Sequence, residues 1–480
     1  MNWNFYFQIL LALLLASCNV NTVTNAKKEL NESSTLSDFS KHGTIGVHVV
    51  ELSSGKVLLN KNEHKRMTPA SLTKLFTSGA ALLTLGKDHT FETQVYSSPL
   101  GDEGKHHLYI KGGGDPTLGS DRFSVHSIDQ FFETIYEGIR KKGWDELTGD
   151  IIIDNSYLIG PGYPSKRVWE DMANYYGAVP NGLSYKENTF RLELKSPSKI
   201  GERCQVVRCT PAIQIHIDCH VVAGSNQKDS AYIYGVPGMN KWTVQGSIPA
   251  GRDAFTIKGA IPYPGLVFGS ELKIYLQKKG IRINGIVRFS QKKIPFDSLN
   301  LIATNRSPKL SDIITVINKK SQNLFADHLL MELGKVQQQE GSWDTGCLAL
   351  NTFWRKNIGD FSGKFYDGSG LSPFNGVSCK DLVDALTYMH HSEQSDVFKQ
   401  TLAIGGIDGT LRSIWKDNGI KGAVIGKSGS MNGVLGYAGY FTAASGKSFA
   451  FCVIVNHFTE SFSSVRSEIE HLVVDLIRNN

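Results

Sequence analysis

Nothing in the chain is long and apolar enough to cross a bilayer as a helix, which takes ~20 residues; the one run near that character, residues 6–17, is too short. Basic blocks are missing as well. The 51 Lys and Arg are spread among 45 Asp and Glu, so the formal charge of +6 carries no patch for a polyanion and implies no nucleic-acid partner. Seven cysteines in 480 residues are too sparse for a disulfide-built scaffold, so the fold must rest on apolar cores. A 41% hydrophobic content over that length supplies them and predicts more than one domain. No internal repeat or low-complexity segment breaks the chain. Three cysteines cluster at Cys204, Cys209 and Cys219 beside His216 and His220, but "AIQIHIDCHVV" alternates as a strand does. Strand geometry puts the two histidines ~13 Å apart and turns Cys219 from both, so no metal site is expected there. A disulfide within the trio is the expectation for an exported protein. No metal and no cofactor is expected anywhere.

Residues 6–17 sit where the apolar core of an export signal sits, although "MNWNF" before them lacks the usual Lys or Arg. Leu15-Ala16-Ser17-Cys18 resembles a bacterial lipoprotein box, in which the cysteine becomes the lipid-bearing N-terminus. We therefore expect a signal peptide over 1–18, lipidation at Cys18 and a polar tether over 19–40. The only membrane contact would be that lipid, and the site of action the bacterial cell envelope, outside the cytoplasm.

"TIGVHVVELSSGKVLLNKNEHKR" reads as a β-hairpin about Ser-Ser-Gly-Lys. It leads into "TPASLTKLFTSGAALLTLG", a helix with Thr68 as cap, Pro69 at its first position and Gly86 at its end. From about 87 to 300 short alternating segments between Gly- or Asn/Asp-rich turns read as mostly β. Helical periodicity returns in "SPKLSDIITVINKKSQNLFADHLLMELGK", and "AVIGKSGSMNGVLGYAGYFTAASGKSFAFCVIVNHF" reads as three antiparallel strands before a C-terminal helix.

Ser71 and Lys74 stand one turn apart near the start of the first helix. That spacing recurs at Ser53/Lys56, Ser196/Lys199 and Ser413/Lys416, so alone it decides nothing. Ser321-Gln-Asn323 between helices and Lys427-Ser428-Gly429 on a strand complete an ordered triplet with Ser71-Leu-Thr-Lys74. A serine hydroxyl attacks an amide only when a neighbour takes its proton. Lys74 faces the same side of the helix and can do so if uncharged; Lys427 is the expected cation that holds its pKa down.

The triplet resembles the signature of penicillin-binding proteins and serine β-lactamases, and the 250 residues between Ser71 and Ser321 imply a large insertion. With "GGGDPTL", "YDGSGLSP" and "GGIDGTL" in the same order, the chain resembles the type-4, class C penicillin-binding proteins over residues 44–460. These are exported D-alanyl-D-alanine carboxypeptidases and endopeptidases. The resemblance implies an α+β fold: a transpeptidase-like domain from 41–86 and 301–480, an antiparallel sheet with helices, interrupted by two small mostly-β domains within 87–300. It implies peptidoglycan stem peptides as substrates and β-lactams as acylating inhibitors. It further implies that Ser321 bridges the two lysines and protonates the leaving amine, and that Asn323 holds a substrate carbonyl. The backbone N–H groups of Ser71 and Ser430 would form the oxyanion hole, and Ser428, Gly429 and Ser430 would receive the terminal carboxylate near Lys427. The chain departs from the pattern at Ser428, where the family has Thr, and at Pro373, where it usually has Arg.

Two rival readings differ by specific residues. A class A β-lactamase needs Glu-x-x-x-Asn between the second and third motifs, and neither Glu332, Glu340 nor Glu393 has Asn four positions on. The Tyr-x-Asn of class C is here Ser-Gln-Asn. A silent cell-wall-binding scaffold or sensor would have lost a motif residue, and none is lost. Asp367 and Asp408 read as residues that order loops.

Overall fold

The computed structural model describes residues 42–98, 105–123, 127–159, 162–416 and 419–480. The expected export signal, Cys18 and the tether lie outside them. The hairpin forms as β1 (Thr44–Glu51) and β2 (Val57–Lys61). The chain's last three strands are β3 (Val424–Met431), β4 (Val434–Thr442) and β5 (Ser448–Asn456). They join the hairpin in one antiparallel sheet ordered β3-β4-β5-β1-β2, with Ala403–Ile404 as a two-residue edge beside β3.

β1 is buried on both faces, and it carries His48 and Glu51 into that burial along with Ile45, Val47, Val49 and Val50. Ile45, Val47 and Val49 pack with the C-terminal helix α6 (Phe462–Arg478), through Val465, Ile469 and Val473. On the other face lies a helical layer: α1 (Thr73–Leu85), α2 (Leu310–Lys320), α3 (Asn323–Gln338), α4 (Trp343–Ile358) and α5 (Cys379–His391). α1 is the centre of that layer; every residue from Thr73 to Leu82 is buried, so Lys74 does not sit on a wet face. Three layers about one sheet give the α+β architecture the motifs imply.

The segment between α1 and α2 carries a five-stranded mixed sheet, two three-stranded sheets and a two-stranded pairing. Among its described residues it also holds two helices, Ile128–Lys141 and Pro264–Lys278, that the alternation did not announce. Their apolar stripes, Phe131, Phe132, Ile135 and Ile139 on one and Phe268, Leu272 and Leu276 on the other, close a separate core. The strand Asn300–Arg306 pairs with Glu92–Ser97 in the five-stranded sheet, so the chain returns to the helical layer only at α2.

The expected disulfide does not form: Cys204, Cys209 and Cys219 are free. Cys209 lies on Gln205–Thr210, paired with Thr189–Lys195, whereas Cys219 lies on His216–Gly224, paired with Lys241–Pro249 in a different sheet. The Cys209 thiol instead donates to the Pro211 carbonyl at 3.5 Å.

Candidate active site

The helix start differs from its sequence reading in a way that shapes the site. Ala70–Leu72 form a 3₁₀ turn and the α-helix begins only at Thr73. Thr68 caps nothing; its hydroxyl donates to the Pro373 carbonyl at 3.1 Å and its N–H to Asn456 Oδ1 at 2.8 Å. Tertiary bonds won over the cap. Ala70, just before Ser71, is held at φ +47°, a left-handed conformation that costs a non-glycine residue roughly 1 kcal/mol or more. The Thr73 hydroxyl donates to the Ala70 carbonyl and helps to fix that bend.

Lys74 is fully buried and its amine is the hub. Nζ lies 2.9 Å from Ser71 Oγ, 2.7 Å from Asn323 Oδ1 and 2.5 Å from the Ser369 carbonyl. Asn323 is oriented by its other end, since Nδ2 donates to the Tyr176 carbonyl at 2.9 Å. Two of the three partners of Nζ can only accept, and the third can donate. A neutral amine has two N–H groups and one lone pair, so the lone pair is left for the Ser71 hydroxyl.

Burial pushes the Lys74 pKa down to about 7, against the pull of Asp327 and Asp367 and with help from Arg167. The neighbouring cation that depresses it is therefore Arg167, where the sequence suggested Lys427. Lys427, equally buried, is itself pushed well below the usual lysine range, first by burial and then by the charge of Lys74. Its Nζ donates to Ser321 Oγ at 2.9 Å and to the Ser428 carbonyl at 2.7 Å. Ser321 ends α2 in a left-handed conformation, φ +59°, which aims its hydroxyl back toward β3. Ser71, Lys74, Ser321, Asn323 and Lys427 are thus brought together.

Gly429 has a steric reason. A methyl there would lie 2.5 Å from the Pro69 carbonyl oxygen, so only glycine lets β3 pass this close to the turn bearing Ser71. The short strand Ala403–Ile404 pairs only with Ile425 and Gly426, which leaves the outer edge of β3 from Lys427 onward unpaired by any strand among the described residues. Ser430 lies on that stretch, exposed, in the wall of a cleft of about 1150 Å³. Ser428 is not in that wall; its hydroxyl donates to Thr410 Oγ1 at 2.8 Å.

The opposite wall of the cleft is built by the inserted segment, including Asp171, Tyr176, Glu187, Arg191 and Lys258. Glu187 sits in three consecutive left-handed residues, Lys186, Glu187 and Asn188, with φ between 47° and 55°. Its carboxylate accepts from Ser120 Oγ at 2.6 Å, from Arg122 Nε at 2.8 Å and from the amide of Gln322, the middle residue of the second motif. Sequence reasoning missed this contact and also Arg167, which reaches in from the same segment to Asp327 and Asp367. No spacing signal marks either. Asp367 does order its loop, as expected, accepting from the N–H groups of Gly370 and Ser372. Asp408 accepts from the Ile404 N–H and pairs with Lys319.

The profile of the "D-Ala-D-Ala carboxypeptidase 3 (S13) family" matches residues 29–476. A D-alanyl-D-alanine carboxypeptidase of an Actinomadura species is 26% identical over 453 residues, spanning 92% of this chain and 83% of its own. The crystal structure of penicillin binding protein 4 from Haemophilus influenzae superposes with a TM-score of 0.78 at 25% identity, over 92% of this chain and 99% of that one. The structure of the same Haemophilus protein complexed with a β-lactam gives 0.75 at 24% identity, with the same coverage.

Proposed function

Because the chain belongs to the D-Ala-D-Ala carboxypeptidase 3 (S13) family, we propose that it is a serine DD-peptidase of the cell envelope. It cleaves the terminal D-alanine from peptidoglycan stem peptides, or the equivalent bond in D-alanine-containing crosslinks. The observation that carries this reading is the Lys74 amine, buried and hydrogen-bonded to both Ser71 Oγ and Asn323 Oδ1. Ser71 Oγ attacks the carbonyl of the penultimate D-alanine while its proton passes to Lys74 Nζ. The negative oxygen that forms is received by the backbone N–H groups of Ser71 and Ser430. Collapse breaks the C–N bond, and the proton taken from Ser71 leaves Lys74 for the departing amine by way of the Ser321 hydroxyl, which Lys427 holds at 2.9 Å, so that Lys74 is neutral again for the attack of water. Water then hydrolyses the acyl-enzyme. A β-lactam follows the same first step, but its amine stays tethered after ring opening, so it acts as an acylating inhibitor.

Both carboxypeptidase and endopeptidase action use this chemistry, and they differ in what the inserted segment admits to the cleft. Mass spectrometry of the products from purified uncrosslinked and crosslinked muropeptides tests the reading. Release of free D-alanine from the first, or of two stem peptides from the second, supports it; no change in either refutes it.

The substrate carboxylate is assigned to the hydroxyls of Ser428 and Ser430 with Lys427 behind them. Ser428 turns its proton from Thr410 to the anion while accepting from the Thr410 hydroxyl. Removing one hydrogen bond to a charged group costs about 1.5–3 kcal/mol. Ser428→Ala should therefore lower kcat/KM for a D-Ala-D-Ala peptide by roughly ten- to a hundredfold. Ser428→Thr should cost little. On a carboxyl-amidated peptide, which the wild type handles poorly, Ser428→Ala should add little loss. An equal loss on both substrates would mean that Ser428 serves the strand through Thr410 instead.

Membrane attachment is assigned to a diacylglyceryl group on Cys18, motivated by Leu15-Ala16-Ser17-Cys18 and the polar stretch after it. Intact-mass analysis of membrane-fraction protein should find the lipid on an N-terminal Cys18. A soluble product cut elsewhere would refute the assignment.

A further inference from the structure

Behind the catalytic lysine lies a buried charge cluster whose cation comes from the inserted segment. The side chains of Arg167, Asp327 and Asp367 are all completely buried. Arg167 donates through Nε to Asp367 Oδ2 at 2.9 Å, through Nη2 to Ser369 Oγ at 2.9 Å, and also through Nη2 to Asp327. Its guanidinium lies over the Trp343 ring, 5.3 Å from the centroid.

The two carboxylates are fastened to the loop that holds Lys74. Asp327 Oδ1 accepts from the Gly368 and Ser369 N–H groups at 3.0 and 2.9 Å. Asp367 accepts from the Gly370 and Ser372 N–H groups at 2.8 and 2.7 Å and from Asn375 Nδ2 at 2.6 Å. The carbonyl of Ser369 then takes a hydrogen bond from Lys74 Nζ, while the carbonyl of Gly368 takes one from Thr77, one turn further along α1. From the insertion side, the Lys166 carbonyl accepts from Ser372 Oγ at 2.6 Å, so the loop is gripped by two adjacent residues of that segment.

We propose that Arg167 is a positioning residue for the base: it cancels one of the two carboxylate charges behind Lys74 and locks the loop whose Ser369 carbonyl orients the amine. The inference rests on Lys74 serving as the base. With Arg167 in place the cluster carries one net negative charge. Without it both carboxylates pull the amine toward the ammonium form, which cannot take the proton of Ser71, and they also repel each other, so that Asp327, already raised to about 6 by burial, takes up part of the excess charge as a proton. The charged and titratable groups facing Lys74 are then all accounted for: Asp327 from α3, Asp367 from the loop after it, Lys427 from β3 and Arg167 from the insertion. Of these only Arg167 comes from outside the transpeptidase-like part. The inserted segment thus sets the protonation of the base as well as one wall of the cleft.

The test is the rate of acylation by a fluorescent penicillin as a function of pH, measured on the full chain with melting curves in parallel. Asp367→Asn leaves the cluster neutral and should move the acid limb to lower pH. Arg167→Met removes the guanidinium charge and should move it up, by at most about one pH unit and tenfold in rate on the limb, because Asp327 takes up part of the excess charge by protonation. Arg167→Lys keeps the charge and loses the planar fork, so the limb should stay while the plateau falls. Should Arg167→Met fail to fold, adding it to Asp367→Asn restores one net negative charge, and the limb should return toward its wild-type position. Limbs that coincide in all folded variants, with only melting temperature changed, would overturn the inference and leave Arg167 a structural ion pair. A Lys74→Arg variant that still acylates would instead refute the role of Lys74, an outcome the Arg167 series cannot produce.

Discussion

Ser71→Ala should abolish covalent labelling by penicillin and lower kcat for D-alanine release by about 10⁵- to 10⁶-fold, as removal of the nucleophile does in other serine acyl-transfer enzymes. The hydroxyl has no substitute in the site. Ser321, another serine of the cleft wall, hydrogen-bonds to Lys427. Ser71 by contrast stands in a 3₁₀ turn with the left-handed Ala70 before it and the Lys74 amine 2.9 Å away. Strained backbone at that one point holds the oxygen at the cleft, where Ser71, Ser321 and Ser430 all reach the wall. After digestion, labelled wild-type protein should carry the drug on the peptide containing Met67 to Lys74. The label should persist for long enough to be mapped, because the chain has no identified deacylating glutamate. Label on Ser321, or an alanine variant that still reacts, would overturn the assignment of the nucleophile. Rapid turnover of the drug would turn the reading toward a β-lactamase.

Five of the motif side chains were legible because the chemistry dictates their type and order, and because each motif falls at a break the periodicity reveals. Ser321 and Asn323 stand at the end of α2 and the start of α3, as "NKKSQN" between two apolar stripes suggested. Lys427 lies on the first strand of the terminal meander. Arg167 was invisible for the opposite reason. Its partners are 160 and 200 residues away in sequence, and a lone Arg in "PSKRVW" resembles any exposed one. The left-handed turn at Lys186–Asn188 is equally silent, since Lys and Glu seldom adopt it and only the grip of Glu187 on Ser120, Arg122 and Gln322 shows what holds it there. Thr68 and the cysteine trio show two kinds of error. A local rule for caps lost to bonds with residues some 300 and 400 positions on. An expectation from compartment ignored that Cys209 and Cys219 fall on different sheets.

Lys74→Arg is the substitution that separates a base from a mere cation. Arginine keeps the positive charge and the donors, but it does not deprotonate in proteins, so it cannot take the proton of Ser71. Loss of general-base catalysis should lower the acylation rate by about 10²- to 10⁴-fold, with the fold verified by circular dichroism. The wild type supplies the second half of the test. Burial brings the Lys74 pKa to about 7, and the active form is the neutral amine. Raising the pH through about 7 converts ammonium to amine, so the rate climbs on the acid side and levels above it. On that limb each unit of acid should cost about tenfold, because the neutral fraction of a single titrating amine falls by that factor. Stopped-flow acylation between pH 5 and 9 measures both the limb and its midpoint. A flat profile over that range, together with an active Lys74→Arg variant, would move the base elsewhere. The remaining candidate is Lys427 acting through Ser321, which would place the first proton transfer on the β3 side of the cleft.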